Sequence, residues 1–254
     1  MYKYVLCSDY VTHFTIDDVR SHFSADLNRE IRDPQVCVSV ISKWVTITDT
    51  MLKKSAMVFV DQKIEATLYE ELEALNHIMN EGDWFDIRNF KVMHFSGLIR
   101  LTKNRYHIVM SNSTVVVQIQ PKTCSNYYCF AKFLDIARGL AHPMYCIDLY
   151  GALVGVGELQ PYHDEIYGEI RHKINFSLIN LGLDEIKCVV YGDMAIKFYH
   201  LWNSTVSSVV LCVLSFWRIE REEGSFKNVT NIEGMSKIVI EPDIPEIRIP
   251  SSPF

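Results

Sequence analysis

Residues 63–80 read KIEATLYEELEALNHIMN, a β-type run that turns directly into a helical one. Residues 63–68 are predicted to form a strand, and residues 69–80 a helix. The helix is amphipathic, with acidic residues on one face and apolar residues at 3.6-residue spacing on the other: Leu72, Leu75 and Met79. Gly82 follows shortly afterwards, where helices prefer to end.

Strand-like runs flank this helix on both sides. Two precede residues 63–68 and three follow the helix, each bounded by Gly, Asn or Asp: 35–45, 55–60, 84–93, 98–102 and 106–120. Short strands at this spacing indicate a β-barrel or sandwich. A single helix after the third strand is the connectivity of an OB-fold, a five-stranded Greek-key barrel.

The same order recurs in the second half of the chain. A short helix is predicted at residues 130–139, followed by strands at 146–159, 170–178, 186–191, 208–220 and 236–240. A second helix, at 193–202, falls again between the third and fourth strands. The fold class predicted is therefore all-β with short helices, as two tandem OB-fold β-barrels. One larger β-sandwich is the alternative.

The pattern predicts five segments along the chain. Residues 1–21 form an N-terminal extension, and residues 22–121 form the first OB-fold, which is expected to bind nucleic acid. Residues 122–142 are a linker with a short helix. Residues 143–246 form the second OB-fold, and 247–254 are a C-terminal tail.

Composition and motifs argue against several classes of function. The chain of 254 residues is 48% hydrophobic and has a net charge of −6, and its seven cysteines include no CxxC pair. Neither metal-ligand spacing nor a phosphate-binding, nucleophile-elbow or HExxH motif is present. No apolar run reaches the 18 residues of a membrane helix. We therefore expect a non-enzymatic protein without cofactor, metal, membrane or small-molecule substrate.

Residues 87–122 carry an uneven charge, with six basic residues and no acidic one: Arg88, Lys91, Arg100, Lys103, Arg105 and Lys122. Phe90, Phe95 and Tyr106 are interleaved among them. In an OB-fold this segment forms the fourth and fifth strands and their connecting loop, which border the ligand groove. Cations that follow phosphates and rings that stack on bases suit a single nucleic-acid strand. The other interpretation is a solvated sheet face whose aromatic residues belong to the core.

Several motifs resemble the large subunit of replication protein A, especially its plant forms, over residues 22–247. In the first half they are FSADLN at 23–28, EATLY at 65–69, GDWFDIRNFK at 82–91 and KNRY at 103–106. In the second half they are DLYG at 148–151, CVVYGDMAIKF at 188–198 and EPDIPE at 241–246. Their order and spacing, more than any one motif, carry the resemblance.

The resemblance implies roles for individual residues. The family's base-stacking aromatics after the third strand would fall on Tyr69 and Tyr191, and its phosphate-contacting residues on Lys91 and Arg218. Together with the basic segment, the candidate nucleic-acid-binding residues are Tyr69, Arg88, Lys91, Arg100, Lys103, Arg105, Tyr191 and Arg218. A second stacking ring is missing in both barrels, because its positions fall on Ile99 and near Arg221 and Glu222.

The implied function is binding of single-stranded DNA in replication, repair and recombination in the nucleus. Other replication protein A subunits, or replication and repair proteins, are the expected protein partners. The family's zinc-containing third OB-fold has no counterpart here, so zinc is not carried over. The alternative is a divergent OB-fold protein-interaction module with weak or no DNA binding, because a fold alone does not decide function.

The purified chain is predicted to hydrolyse no nucleotide and to carry no stoichiometric metal, since it lacks a phosphate loop and ligand-spaced cysteines. Elemental analysis and a phosphate-release assay measure these two properties. One zinc per chain would contradict the prediction.

Overall fold

The computed structural model describes residues 27–47, 53–60, 64–69, 73–95, 99–122, 127–165, 168–222 and 225–242. The chain divides into two compact units, Met1–Ser125 and Asn126–Phe254. We call them the first and second barrel. No helix in the described part of the chain combines the length and apolar character that a membrane crossing needs. The finer domain boundaries expected from the sequence stay predictions.

In its described residues the first barrel contains seven strands and one helix. In chain order they are β1 (Gln35–Ile47), β2 (Lys53–Val60), β3 (Ile64–Tyr69), α1 (Glu73–Ile78), β4 (Trp84–Arg88), β5 (Lys91–His94), β6 (Tyr106–Val109) and β7 (Val115–Ile119). Their order in the sheet is β5-β6-β3-β2-β1-β4-β7. Only two residues separate β4 from β5, so the chain itself joins the two sides of the sheet and curls it into a barrel.

A left-handed residue divides the fourth strand of this barrel. The segment 84–93, predicted as one strand, is broken at Asn89, which has a φ of 57°. Asparagine tolerates this conformation better than most residues. The predicted strand 106–120 is likewise broken into β6 and β7. The strand predicted at 98–102 is wrong over its described residues 99–102, which lie in the loop from β5 to β6 and contain only an isolated bridge at Arg100.

The predicted helix at 69–80 is confirmed in part. The structure assigns α1 to Glu73–Ile78, whereas Tyr69 is the last residue of β3. Leu75 and Met79 are buried in the barrel core, as the amphipathic pattern predicts. Leu72 lies outside the described residues.

The second barrel contains the remaining elements. They are α2 (Phe133–Ala137), β8 (Ile147–Val154), β9 (Gln160–Asp164), β10 (Glu169–Ile179), β11 (Glu185–Tyr191), α3 (Asp193–Ser204), β12 (Leu211–Glu222), β13 (Ser225–Thr230) and β14 (Lys237–Ile240). Strand pairing closes a ring in the order β8-β10-β11-β13-β12-β8. The polar runs of β9 and β13 gave no strand signal in the sequence.

Corresponding strands pair in the same way in the two barrels. The third strand runs parallel to the fifth in both, as β3 with β6 and as β11 with β13. The first strand pairs antiparallel with the second and fourth in both. The prediction of two tandem OB-fold barrels is confirmed.

A buried hydroxyl group binds the left-handed residue of the fourth strand in each barrel. In the first, the Thr114 hydroxyl donates to the carbonyl oxygen of left-handed Asn89 at 3.0 Å and accepts from the Ser111 N–H at 2.9 Å. In the second, the Ser236 hydroxyl donates to the carbonyl oxygen of Phe216 at 2.6 Å and accepts from the Ile232 N–H at 2.7 Å. Phe216 also has a positive φ, of 58°, so the hydroxyl group binds the carbonyl oxygen of a left-handed residue in both barrels.

Replacing Ser236 with Ala is predicted to destabilise the protein by about 1–3 kcal/mol, because the Phe216 carbonyl and the Ile232 N–H each lose a hydrogen bond, the first of them buried. Urea unfolding, followed by tryptophan fluorescence, measures the change. Ser236→Thr is the matched control, since it keeps the hydroxyl that Thr114 supplies in the other barrel. An unfolding midpoint for Ser236→Ala equal to that of the wild type would refute this role.

Candidate nucleic-acid interface

A row of five directly paired residues crosses the outer face of the first barrel. Strand register aligns them in the order Trp44, Ala56, Thr67, Val109 and Lys91, on β1, β2, β3, β6 and β5. We call this the first row. With about 4.8 Å between neighbouring strands, the row is about 19 Å long.

Polar groups along the first row are left with unused bonding capacity. The Trp44 Nε1 and the Thr67 Oγ1 are shielded from solvent and find no hydrogen-bond partner within the described residues. Buried polar atoms are usually paired, so such exceptions call for an explanation. Lys91 is exposed at the other end of the row and forms no ion pair within the described ranges. The first row therefore combines an exposed cation with a shielded indole N–H and a shielded hydroxyl group.

The loop between β5 and β6 brings further cations to the same side. Lys103 and Arg105 are exposed in this loop. The Arg100 guanidinium carbon lies 5.4 Å from the centroid of the Phe95 ring. The Phe95 N–H donates to the Arg105 carbonyl oxygen at 3.1 Å and extends the β5–β6 hairpin. From Lys91 to Phe95 the strand advances about 13 Å, so one hairpin carries all four basic residues.

Arg88 stands apart from this cationic group. Its Nη2 lies 2.6 Å from Asp86 Oδ2, and Gln35 donates to the same carboxylate at 2.9 Å. The hydrogen bond to Asp86 raises the pKa of Arg88. Arg88 pairs with Gln35 on β1 and Val115 on β7, outside the first row. Its charge is already matched within the protein, because an acid lies just before the basic segment.

The aromatic residues of the basic segment divide between two environments. Phe90 is 4% exposed and belongs to the core cluster. Phe95 and Tyr106 are half-buried on the β5–β6 hairpin, where the Tyr106 and His94 ring centroids lie 4.8 Å apart. Tyr69 pairs with Lys54 two positions beyond Thr67. Its side chain lies outside the described part.

The second barrel has an equivalent row. Arg218, Thr230, Val189 and Asn175 align across β12, β13, β11 and β10. We call this the second row. Arg218 follows left-handed Phe216 by two residues, as Lys91 follows Asn89, so the sequence-based pairing of Lys91 with Arg218 coincides with structural equivalence.

Each row contains one cation, but only the cation of the second row is paired with an acid within the described residues. The Arg218 Nη2 lies 2.8 Å from Glu220 Oε1, whereas Lys91 has no such neighbour there. Arg171, on β10 nearby, is bound by Glu233 and lies 3.5 Å from Asp164. Within the described residues, Arg218 and Arg171 are therefore both matched by carboxylates.

Tyr191 is the last residue of β11 and is fixed by the neighbouring chain. Its N–H donates to Asn231 Oδ1 at 2.7 Å, and Asn231 Nδ2 donates back to the Tyr191 carbonyl oxygen at 3.2 Å. Burial is the main cause that raises the pKa of its hydroxyl. Gly192 follows with a φ of 69°, and a side chain there would overlap the Arg171 guanidinium.

Two residues of these faces escaped the sequence reasoning. Trp44 belongs to the same alternation as the core residues Val36, Val38 and Val40, but a bulge between Val40 and Ser42 moves it to the outer face. Lys173 pairs with Tyr191 and with Gln160, and only the register of β9, β10 and β11 reveals this. The described residues contain no group of His, Cys, Asp and Glu suited to a metal ion.

Comparisons with known proteins support the fold. The model of a domain of unknown function, DUF223, matches residues 25–139, just under half of the chain. No curated protein sequence matches. A chain of a replication protein A heterotrimer solved with bound ssDNA is similar, with a TM-score of 0.56 and 19% identity over 89% of this chain. The match covers 52% of that chain, so the protein spans about half of its length.

Two further structures have lower similarity and carry no inference. A murine DNA-binding protein bound with double-stranded DNA has a TM-score of 0.41 and 9% identity, covering 81% of this chain and 94% of its own. An OB domain from Thermoplasma acidophilum has a TM-score of 0.30 and 11% identity, covering 40% and 89%.

Arg88 and Lys91 are predicted to differ in their effect on stability. Arg88→Ala removes a charged hydrogen bond from the buried Asp86 carboxylate and is expected to cost about 1–3 kcal/mol, at the lower end because Gln35 still donates. Lys91→Ala, at an exposed site, should change the free energy of unfolding by less than about 0.5 kcal/mol. Urea unfolding of both variants tests this, and equal losses would contradict the assignment.

Proposed function

We propose that this protein binds single-stranded DNA across the outer face of its first barrel, without catalysing a reaction. The carrying observation is the first row, in which exposed Lys91 and the indole of Trp44 lie at opposite ends of one paired line of residues. The similar replication protein A structure, which contains bound ssDNA, supports the proposal through the fold.

The chemistry of this face suits a flexible, charged strand. Lys91, Lys103 and Arg105 can follow phosphates, and the rings of Trp44 and Phe95 can stack on bases. The Trp44 indole N–H and the Thr67 hydroxyl, which are shielded in this structure and have no partner within the described residues, could hydrogen-bond base edges if ligand binding exposed them. Tyr69, at the end of β3, stays a predicted stacking residue beside this row.

We assign most of the affinity for single-stranded DNA to the first barrel, because its net charge is less negative. Residues 1–125 contain 14 Lys+Arg and 15 Asp+Glu, which leaves 11 and 16 in residues 126–254, so the net charges are −1 and −5. The equivalent cations differ as well, because Arg218 is paired with Glu220. Phosphate contacts dominate affinity for nucleic acid, so we assign the second barrel a supporting role.

The biological setting proposed is DNA replication, repair and recombination in the nucleus, as for a protein like the plant-type large subunit of replication protein A. Other subunits of such a complex, or replication and repair proteins, are the proposed partners. This setting rests on the resemblance of sequence motifs and on the similarity of fold.

A protein-interaction module is the second candidate. It is favoured by exposed apolar side chains in two loops of the second barrel, before β11 and before β12: Leu181, Leu183, Val206 and Val209. Such a module would bind a partner with little dependence on salt.

Fluorescence anisotropy separates the two candidates. A labelled oligo-dT of about 30 nucleotides is titrated with the full chain at several salt concentrations, beside a matched RNA and a duplex. The proposed function predicts preference for the single strand and affinity that falls steeply with salt, with a log–log slope of roughly −0.7 per phosphate neutralised. Absence of binding at low salt would reject it.

Lys91→Ala is predicted to matter more than Arg218→Ala. Loss of Lys91 should weaken binding of oligo-dT and reduce the salt slope by about 0.7, the value for one phosphate contact. Loss of Arg218 should change the slope less, because Glu220 already neutralises it. Lys197→Ala, an exposed lysine on α3, controls for a general loss of charge. A larger effect at Arg218 than at Lys91 would reverse the assigned roles of the barrels.

A further inference from the structure

Two tyrosine rings meet on the outer face of the second barrel. The ring centroids of Tyr162 and Tyr191 lie 5.2 Å apart with an interplanar angle of 73°, so they pack edge to face. Tyr162 lies on β9, in the connection between the first and second strands of the barrel. Both residues are half-buried, so part of each remains at the surface.

A chain of polar contacts fixes the Tyr162 ring. Its hydroxyl donates to Asp164 Oδ2 at 2.8 Å, and Arg171 Nη1 lies 3.5 Å from the same oxygen. Arg171 Nη1 also donates to Glu233 Oε2 at 2.8 Å. Burial and the Asp164 bond raise the pKa of Tyr162 to about 12, so its hydroxyl stays protonated at neutral pH. The ring is therefore held before any ligand arrives, which lowers the entropic cost of binding.

A cation lies beside the two rings. Lys173 on β10 pairs with Tyr191 on one side and with Gln160 on the other. Tyr162 and Gln160 are two residues apart on β9, so they share a face of that strand. Two rings next to a lysine match the alternation of bases and phosphates in a single strand.

We propose that Tyr162 is the second base-stacking residue of the second barrel, acting with Tyr191 and Lys173. The inference rests on the proposed function and adds a residue to it.

The family's second stacking ring would fall near Arg221 and Glu222, and neither position is aromatic. Phe226, which pairs with Arg221, is partly buried and packs against the barrel core. Tyr162 supplies a ring from the connection between the first two strands, so a base is bound from that side.

Photocrosslinking tests the contact directly in the full chain. An oligo-dT of about 30 nucleotides that contains 5-iodo-deoxyuridine is irradiated with the protein, and crosslinked peptides are identified by mass spectrometry. The proposal expects crosslinks at Tyr162 and Tyr191 and none at Tyr199, an exposed tyrosine on α3. Crosslinks at Tyr191 without any at Tyr162 would overturn it.

Substitutions separate the ring from its hydroxyl. Tyr162→Ala should weaken binding of the same oligonucleotide roughly five- to 150-fold, the range for loss of one stacked base. Tyr162→Phe should retain most of the affinity because it keeps the ring, and Tyr199→Ala should match the wild type. Unchanged affinity in Tyr162→Ala would refute the inference, as would equal losses in the Ala and Phe variants.

Two further outcomes are distinguishable. If the wild-type chain binds no oligonucleotide, the proposed function fails and this inference fails with it. If the wild type binds but Tyr162→Ala does not fold, the crosslink in the wild type and the affinity of Tyr162→Phe decide the question. Thermal melting of each variant identifies that case.

Discussion

The left-handed residue in the fourth strand of each barrel sets the position of the candidate interface. Asn89 and Phe216 turn the strand at the same place, and Thr114 and Ser236 hold the turned carbonyl groups. This conformation is unfavourable for a bulky residue such as Phe216, so the hydroxyl bond offsets a local cost. Two residues further on, the redirected strand presents Lys91 or Arg218 on the outer face. Barrel closure and placement of the cation therefore depend on the same turn.

Equivalent geometry does not give the two barrels equivalent chemistry. The first row ends in a cation that forms no ion pair within the described residues, whereas Glu220 pairs with the corresponding arginine. The first barrel adds cations from the loop between β5 and β6. The second barrel instead adds the Tyr162 and Tyr191 rings, and its Arg171 and Arg218 are paired with carboxylates. The described part of the first barrel thus exposes Lys91, Lys103 and Arg105, and that of the second carries the Tyr162–Tyr191 ring pair.

The fold was predictable from sequence because its strongest signals are periodic. The run at residues 63–80 predicts a strand followed by a helix, and its repetition predicts two barrels. Hydrophobic periodicity in the sequence does not reveal a β-bulge or a left-handed residue within a strand. The bulge after Val40 moves Trp44 to the outer face, and Asn89 divides a strand that reads as continuous. Polar strands such as β9 carry no apolar alternation, so Tyr162 was not found.

The candidate site was predictable only in part, because the sequence does not show which basic side chains form ion pairs with acids. Six basic residues in residues 87–122 suggest one surface, but Arg88 is matched by Asp86, just outside the segment. Lys91 and Arg218 were paired by resemblance, and the shared strand register explains why they correspond.

Hydrogen exchange of the full chain with and without saturating oligo-dT tests the central claim most directly, because it locates the bound strand on the barrel. The account predicts slower exchange in β3, in the β5–β6 hairpin and in residues 99–105, with little change in α1 and β7. Protection confined to β4 and β7, or to α1, with unchanged exchange in the β5–β6 hairpin, would contradict it.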